Sequence, residues 1–203
     1  MPILLNPAWI SYINPAPVSY QLFAGTIGPV TATANAAPVT VGTGFTVGAP
    51  RCFLRGFWLW ACPGGGQSLS AQTFALWTET GAASGALVAG SALTSGALLG
   101  GEWNCAAYSS PIPLTQGVPY RAVTGFTGPY PSTLNQWNAG GPYAAGLTNG
   151  PLAAYSDPAG SAPDLYGSPQ SSLSTAGSDP TVFYPGTGNS GFNAWLDVEI
   201  LTH

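Results

Sequence analysis

The side chains able to act as nucleophiles or general bases are few in this chain and far apart. Its one histidine is His203. Ser-His-Asp and Cys-His mechanisms both need an imidazole held between an acid and the nucleophile, so this supply argues against either. Three cysteines, Cys52, Cys62 and Cys105, have no histidine near them and match no zinc or redox spacing. Glycine runs such as "CPGGGQS" and "PGTGNSG" have the look of phosphate loops. The chain has no lysine, however, so a Walker-type site is excluded and turn glycines are the reading.

Acids remain. Glu79, Glu102, Asp197 and Glu199 could in principle supply the carboxylate pair of a glycosidase. Asp157, Asp164 and Asp179 could offer oxygen ligands to calcium, but their spacing matches no EF-hand and loop solubility accounts for them as well. No catalytic residue, metal or cofactor is therefore expected.

Binding is better served than catalysis. Tyr130, Trp137, Tyr143, Tyr155 and Tyr166 are interleaved with Asn135, Gln136, Asn138 and Asn149. Flat rings beside amides suit a sugar, which has apolar faces to stack and hydroxyls to bond. The same residue types anchor protein–protein contacts. Tyr130, Trp137, Asn138, Tyr143, Tyr155 and Tyr166 are thus the expected contact residues, for a neighbouring subunit or a glycan.

Charge narrows the partners. Only 5% of residues are charged and the formal net charge is −4, with Arg51, Arg55 and Arg121 the only lysine or arginine cations. Three arginines cannot neutralise a run of phosphates, which excludes nucleic acid, and the same shortage argues against a polybasic membrane anchor. Scarce charge fits a GC-rich genome, and it fits surfaces covered by neighbouring subunits. The opening segment "MPILLNPAWISYINPAPVSYQ" has no basic n-region, and no apolar run approaches the ~20 residues of a membrane helix. Export by signal peptide and membrane insertion are not expected.

The elements that must position these residues are strands. Gly (28) and Pro (20) interrupt the chain too often for long helices. Short alternating or wholly apolar runs between turn residues predict an all-β sandwich. Residues 1–42 read as an extended arm or added edge strands, and 43–203 as the sandwich, with a long irregular loop over 128–180. "RCFLRGFWLWACPGGG", residues 51–66, is apolar on both parities and reads as a strand covered on both faces. Strict alternation places Phe53, Phe57, Leu59 and Ala61 on one face and Leu54, Trp58, Trp60 and Cys62 on the other. A continuous strand holds Cys52 and Cys62 roughly 33 Å apart, too far for a bridge. Cys105 could pair with either, but buried free thiols are the expected state. "SGALVAG" at 84–90 echoes as "SGALLGG" at 95–101, a local duplication too short for a solenoid unit. The closing strand is expected over 194–201.

The order of "LRGFWLW", "FALWTETG", "ALVAGSAL", "GEWNCAAYSSPIPLTQGVPY" and "FYPGTGNSGFNAWLDVEI" resembles the bacterial family of domain of unknown function 4082. The likeness covers about 43–127 and 181–201. It implies a jelly-roll-like antiparallel β-sandwich in an accessory, non-catalytic role, often discussed as glycan binding. The arm and the missing signal peptide depart from a secreted multidomain enzyme. The sequence reading is therefore a structural or adhesive virion accessory protein of a bacteriophage, as a minor tail or capsid-decorating subunit. Its expected partners are other virion subunits, copies of itself and a host glycan. A secreted carbohydrate-binding module on a bacterial surface is the alternative.

Overall fold

A computed structural model of the protein describes residues 16–33, 37–81, 84–134, 136–137, 141–154, 171–188 and 193–203. Among these there is no helix, and thirteen strands form two antiparallel sheets. The expected all-β sandwich is what the chain forms.

The smaller sheet has the order β1 (Val18–Gln21), β13 (Leu196–Thr202), β3 (Cys52–Trp60), β7 (Trp103–Leu114). The larger is built on β2 (Val39–Val47), β8 (Tyr120–Phe126) and β4 (Thr73–Gly81). Beside β2 lie β11 (Ser171–Ser174), β12 (Thr187–Gly188), β10 (Leu152–Ala154) and β9 (Leu147–Asn149). Beside β4 lie β5 (Ser84–Leu87) and β6 (Leu93–Thr94). From β2 through β3, β4, β7, β8 and β13 the principal strands alternate between sheets, which is jelly-roll-like wiring.

The core lies between the layers. Leu54, Phe57 and Leu59 of β3 and Leu196, Val198 and Ile200 of β13 meet Val41, Phe45, Phe74 and Leu76 of the larger sheet. Phe57 and Phe74 stack across the interface with ring centroids 5.4 Å apart. Offset stacking of this kind adds about 0.5–1.5 kcal/mol to the area the rings bury.

Four expectations change. First, strict alternation along β3 fails at Arg55. Leu54 pairs with Ile200 and Gly56 with Glu199, so Arg55 is an extra residue on β3. This bulge reverses parity, and Leu54 rather than Phe53 joins Phe57 and Leu59 in the core. Second, the division expected between 42 and 43 falls inside β2, whose nine residues are all buried. Residues 18–21 do form an edge strand, on β13. Third, the expected irregular loop 128–180 contains β9, β10 and β11, and bridges Tyr130 to Thr33 and Thr133 to Asn193. Fourth, the closing strand is displaced by one or two residues, to Leu196–Thr202.

The outer face of the larger sheet is covered by residues 177–186. Gly42 and Gly125 make this possible. A Cβ on Gly42 would sit 2.8 Å from Pro185, and one on Gly125 would land on the Ser178 carbonyl oxygen. Under this strap lie Ala75, Trp77 and Val123, and the Trp77 indole donates to Pro180 O at 2.8 Å.

Candidate functional site: an aromatic cleft on the smaller sheet

The pattern Leu196-Asp197-Val198-Glu199-Ile200 alternates cleanly, so the three aliphatic side chains enter the core and the two acids face outward. Register then sets their neighbours. Asp197 lies opposite Trp58, which lies opposite Cys105, while Trp60 lies opposite Trp103. Gln21 of β1 lies opposite Glu199. Four strands thus bring two acids, three indoles, an amide and a thiol to one face.

The segment after β1 folds over this face, held by named bonds. Asp197 Oδ1 accepts from the Leu22 amide at 3.0 Å and from its own neighbour Val198 at 2.7 Å; Oδ2 accepts from the Phe23 amide at 2.7 Å. The Trp103 indole donates to Thr26 O at 2.7 Å and the Trp60 indole to Pro29 O at 2.9 Å. Phe23 is buried by this closure and stacks on Trp103, 6.1 Å between centroids and 8° from parallel.

What remains open is a cleft of about 210 Å³. Trp58 and Trp103 are half-buried walls, Asp197 and Phe23 line the depth, and Gln21, Ala24 and Gly25 form the rim. Burial pushes the Asp197 carboxyl up to about 7, against the pull of the three amides, and nearby Glu199 adds to the rise. Glu199 behaves oppositely. Burial raises it, but bonds from Ser19, Arg55 and Trp58 together outweigh that and hold it below the usual carboxylate range. Ser19 Oγ donates to Oε1 at 2.6 Å, Arg55 pairs with the same oxygen, and the Trp58 indole donates to Oε2 at 3.0 Å.

No protein-family model and no curated protein matches this chain. Among solved structures, a clostridial cysteine protease, Cwp84 after propeptide cleavage, covers 92% of this chain at 11% identity with a TM-score of 0.45. The chain spans 40% of that protein.

The residues expected to bind are placed otherwise. Trp137 is fully buried and Tyr130 nearly so. Trp137 packs on Tyr143 at 5.0 Å and Tyr143 on Phe23 at 5.5 Å, so these rings brace the cleft from behind. Tyr130 stacks on Phe126 at 5.7 Å. A ring buried on all sides offers no face to a ligand, which removes Trp137 and Tyr130 as contact residues; Tyr143 is half-buried. Asn138, Tyr155 and Tyr166 lie outside the described residues. Asn149 ties the β9–β10 turn to β1, donating to Gln21 O at 2.9 Å.

Of the other acids, Glu79 is buried against Arg121 and Glu102 is exposed. Asp179 accepts from the Thr181 amide at 2.9 Å, closing a turn at the edge of a second, hydroxyl-lined groove of about 520 Å³. Among the described residues no group of three or more His, Cys, Asp or Glu could hold a metal ion. Nor is any helix there long and apolar enough to cross a membrane. All three cysteines are free, with Cys52 and Cys62 buried and Cys105 exposed, where a buried thiol was expected.

The cleft residues carried a signal: the period-two patterns of Trp58/Trp60 and Asp197/Glu199. What the sequence lacks is the cross-strand register that joins them.

Proposed function

We propose that this protein is a non-enzymatic, adhesive β-sandwich whose cleft between Trp58 and Trp103 receives a sugar ring. The observation that carries the reading is the meeting of two partly exposed indoles with a carboxylate and an amide in one cleft. Indoles accept the apolar face of a pyranose, and Asp197 and Gln21 accept from or donate to its hydroxyls.

Asp197 and Glu199 invite a comparison with a glycosidase pair, since two residues along a strand separate their Cα atoms by about 6.6 Å. Against acid–base work, each carboxylate oxygen already accepts from at least one protein donor. Glu199 also lies outside the cleft lining. Both carboxylates serve as struts in this reading.

The setting we propose is a bacteriophage particle, with the protein as a minor tail or capsid-decorating subunit, beside copies of itself and other virion subunits. The support is compositional: a chain with 5% charged residues and no lysine suits extensive contact with neighbours. The same cleft would serve a module displayed on a bacterial surface, and the two settings differ in what surrounds the sandwich.

A glycan array probed with the wild-type chain and Trp58→Ala tests the function. Wild type is expected to bind a restricted set, and the variant to lose at least about fivefold in affinity, as for a stacking residue worth more than 1 kcal/mol. An array on which the wild-type chain binds nothing sinks the proposal.

A further inference from the structure

Size and charge at this cleft define its ligand further, on the footing that the ligand is a saccharide. We infer that the cleft takes one ring at the end of a glycan, neutral or amine-bearing, and rejects rings that carry a carboxylate.

The size argument comes first. Drug-sized ligands occupy pockets of about 300–1,000 Å³, and this cleft, at about 210 Å³, falls below that range. Its depth is closed by Phe23 and Asp197, and its rim is the same segment that Asp197 fastens down at Leu22 and Phe23. An internal residue of a long polymer needs an exit on both sides. A terminal residue needs only the room of one ring, which is what a cleft of this volume offers.

The charge argument is independent of size. Asp197 is part of the wall, and Glu199 lies two residues along on the same face. Arg55, on the neighbouring strand, is committed to Glu199. Arg121 is buried in the other sheet against Glu79. A ligand carboxylate would therefore meet Asp197 with no uncommitted arginine lining the cleft, in a chain of net charge −4. Burying a carboxylate with no cation to pair it, against a wall whose own buried acid already resists ionisation, is costly. A hydroxyl or ammonium is the better fit. A carboxylate has about four acceptor positions, and three are filled on Asp197, so Oδ2 keeps one for a ligand donor. The indole walls add attraction for a cation.

The test uses the full chain and ligands, so it does not depend on a variant folding. Array hits are followed by titration with three matched sets. One keeps the terminal ring and changes the inner residues. One caps the terminal ring at its non-reducing end with a further residue. One oxidises its primary alcohol to a uronic acid or replaces a hydroxyl by an amine. Changes to inner residues are expected to leave affinity within about twofold, capping and oxidation to lower it at least tenfold, and the amine to preserve or raise it. Tighter binding of capped or uronic ligands overturns this inference and leaves the saccharide reading standing. No binding by any glycan sinks both.

Discussion

Arg121 on β8 and Glu79 on β4 form an ion pair on the outer face of the larger sheet, both fully buried beneath the strap. The Arg121 guanidinium also donates to the Tyr184 hydroxyl at 3.2 Å and lies 5.8 Å from the centre of that ring. The pair is the polar seam by which strap and sheet recognise each other.

Breaking one side of such a pair strands the other charge in a dry site. Glu79→Gln or Arg121→Met alone is expected to cost about 3–5 kcal/mol, while the double replacement Glu79→Leu with Arg121→Met costs much less. Urea unfolding of the three variants checks this. A double that loses as much as the two singles added together would mean that the two side chains are not coupled.

The strap can be lifted by one methyl group. Gly125→Ala places a Cβ against the Ser178 carbonyl, so the strap must shift, at a cost of about 1–3 kcal/mol. Trp77, bonded to Pro180, is expected to report the change as altered fluorescence. Gly128→Ala, with open space around the new atom, is the control and is expected to be silent.

Asp197 makes stability depend on pH. Its carboxyl ionises near 3.8 when unperturbed and at about 7 in the fold. Between these values the unfolded chain gives up a proton that the native chain keeps, so ionisation favours unfolding. Stability is fully present below about pH 4 and declines toward pH 7, then stays level with respect to this group. Denaturant midpoints at pH 4.5 and 7.5 are expected to show the fall in wild type. Asp197→Asn removes this contribution and leaves a flatter profile, whatever its absolute stability. An unchanged slope in the variant would assign the pH dependence elsewhere.

The three thiols should separate by access. Cys105 is exposed, while Cys52 and Cys62 are buried, and burial raises Cys62 to about 11. Maleimide under native conditions is expected to modify one cysteine, identified as Cys105 by peptide mass, and all three after denaturation. Because burial and Glu199 raise the Cys105 thiol too, against Arg55, its labelling should quicken as pH rises. Cys105 sits beside Trp58, so an environment-sensitive dye there also reports on the cleft.

Much of the architecture is legible in the chain itself. Pro and Gly forbid long helices, the run around Phe57 must be a core strand, and Leu196 to Ile200 declares its inward and outward residues by alternation. These are local facts, because a strand's two faces follow from its own period. The scarcity of imidazole and cations likewise narrows the chemistry before any fold is known.

Tertiary structure decided the rest. Arg55 bulges against Glu199, and this one inserted residue moves Leu54 inward and Phe53 outward. The aromatic residues after Gly128 have the composition of a binding loop, yet Trp137 fills the interior behind Phe23. Trp58 and Trp103, which look like core residues, line the opening instead. An aromatic side chain is apolar wherever it lies, so its type cannot say whether another layer will cover it. That depends on register and on the segment from Leu22 to Thr33 closing over the sheet, both fixed by contacts between residues as distant as Phe23 and Asp197.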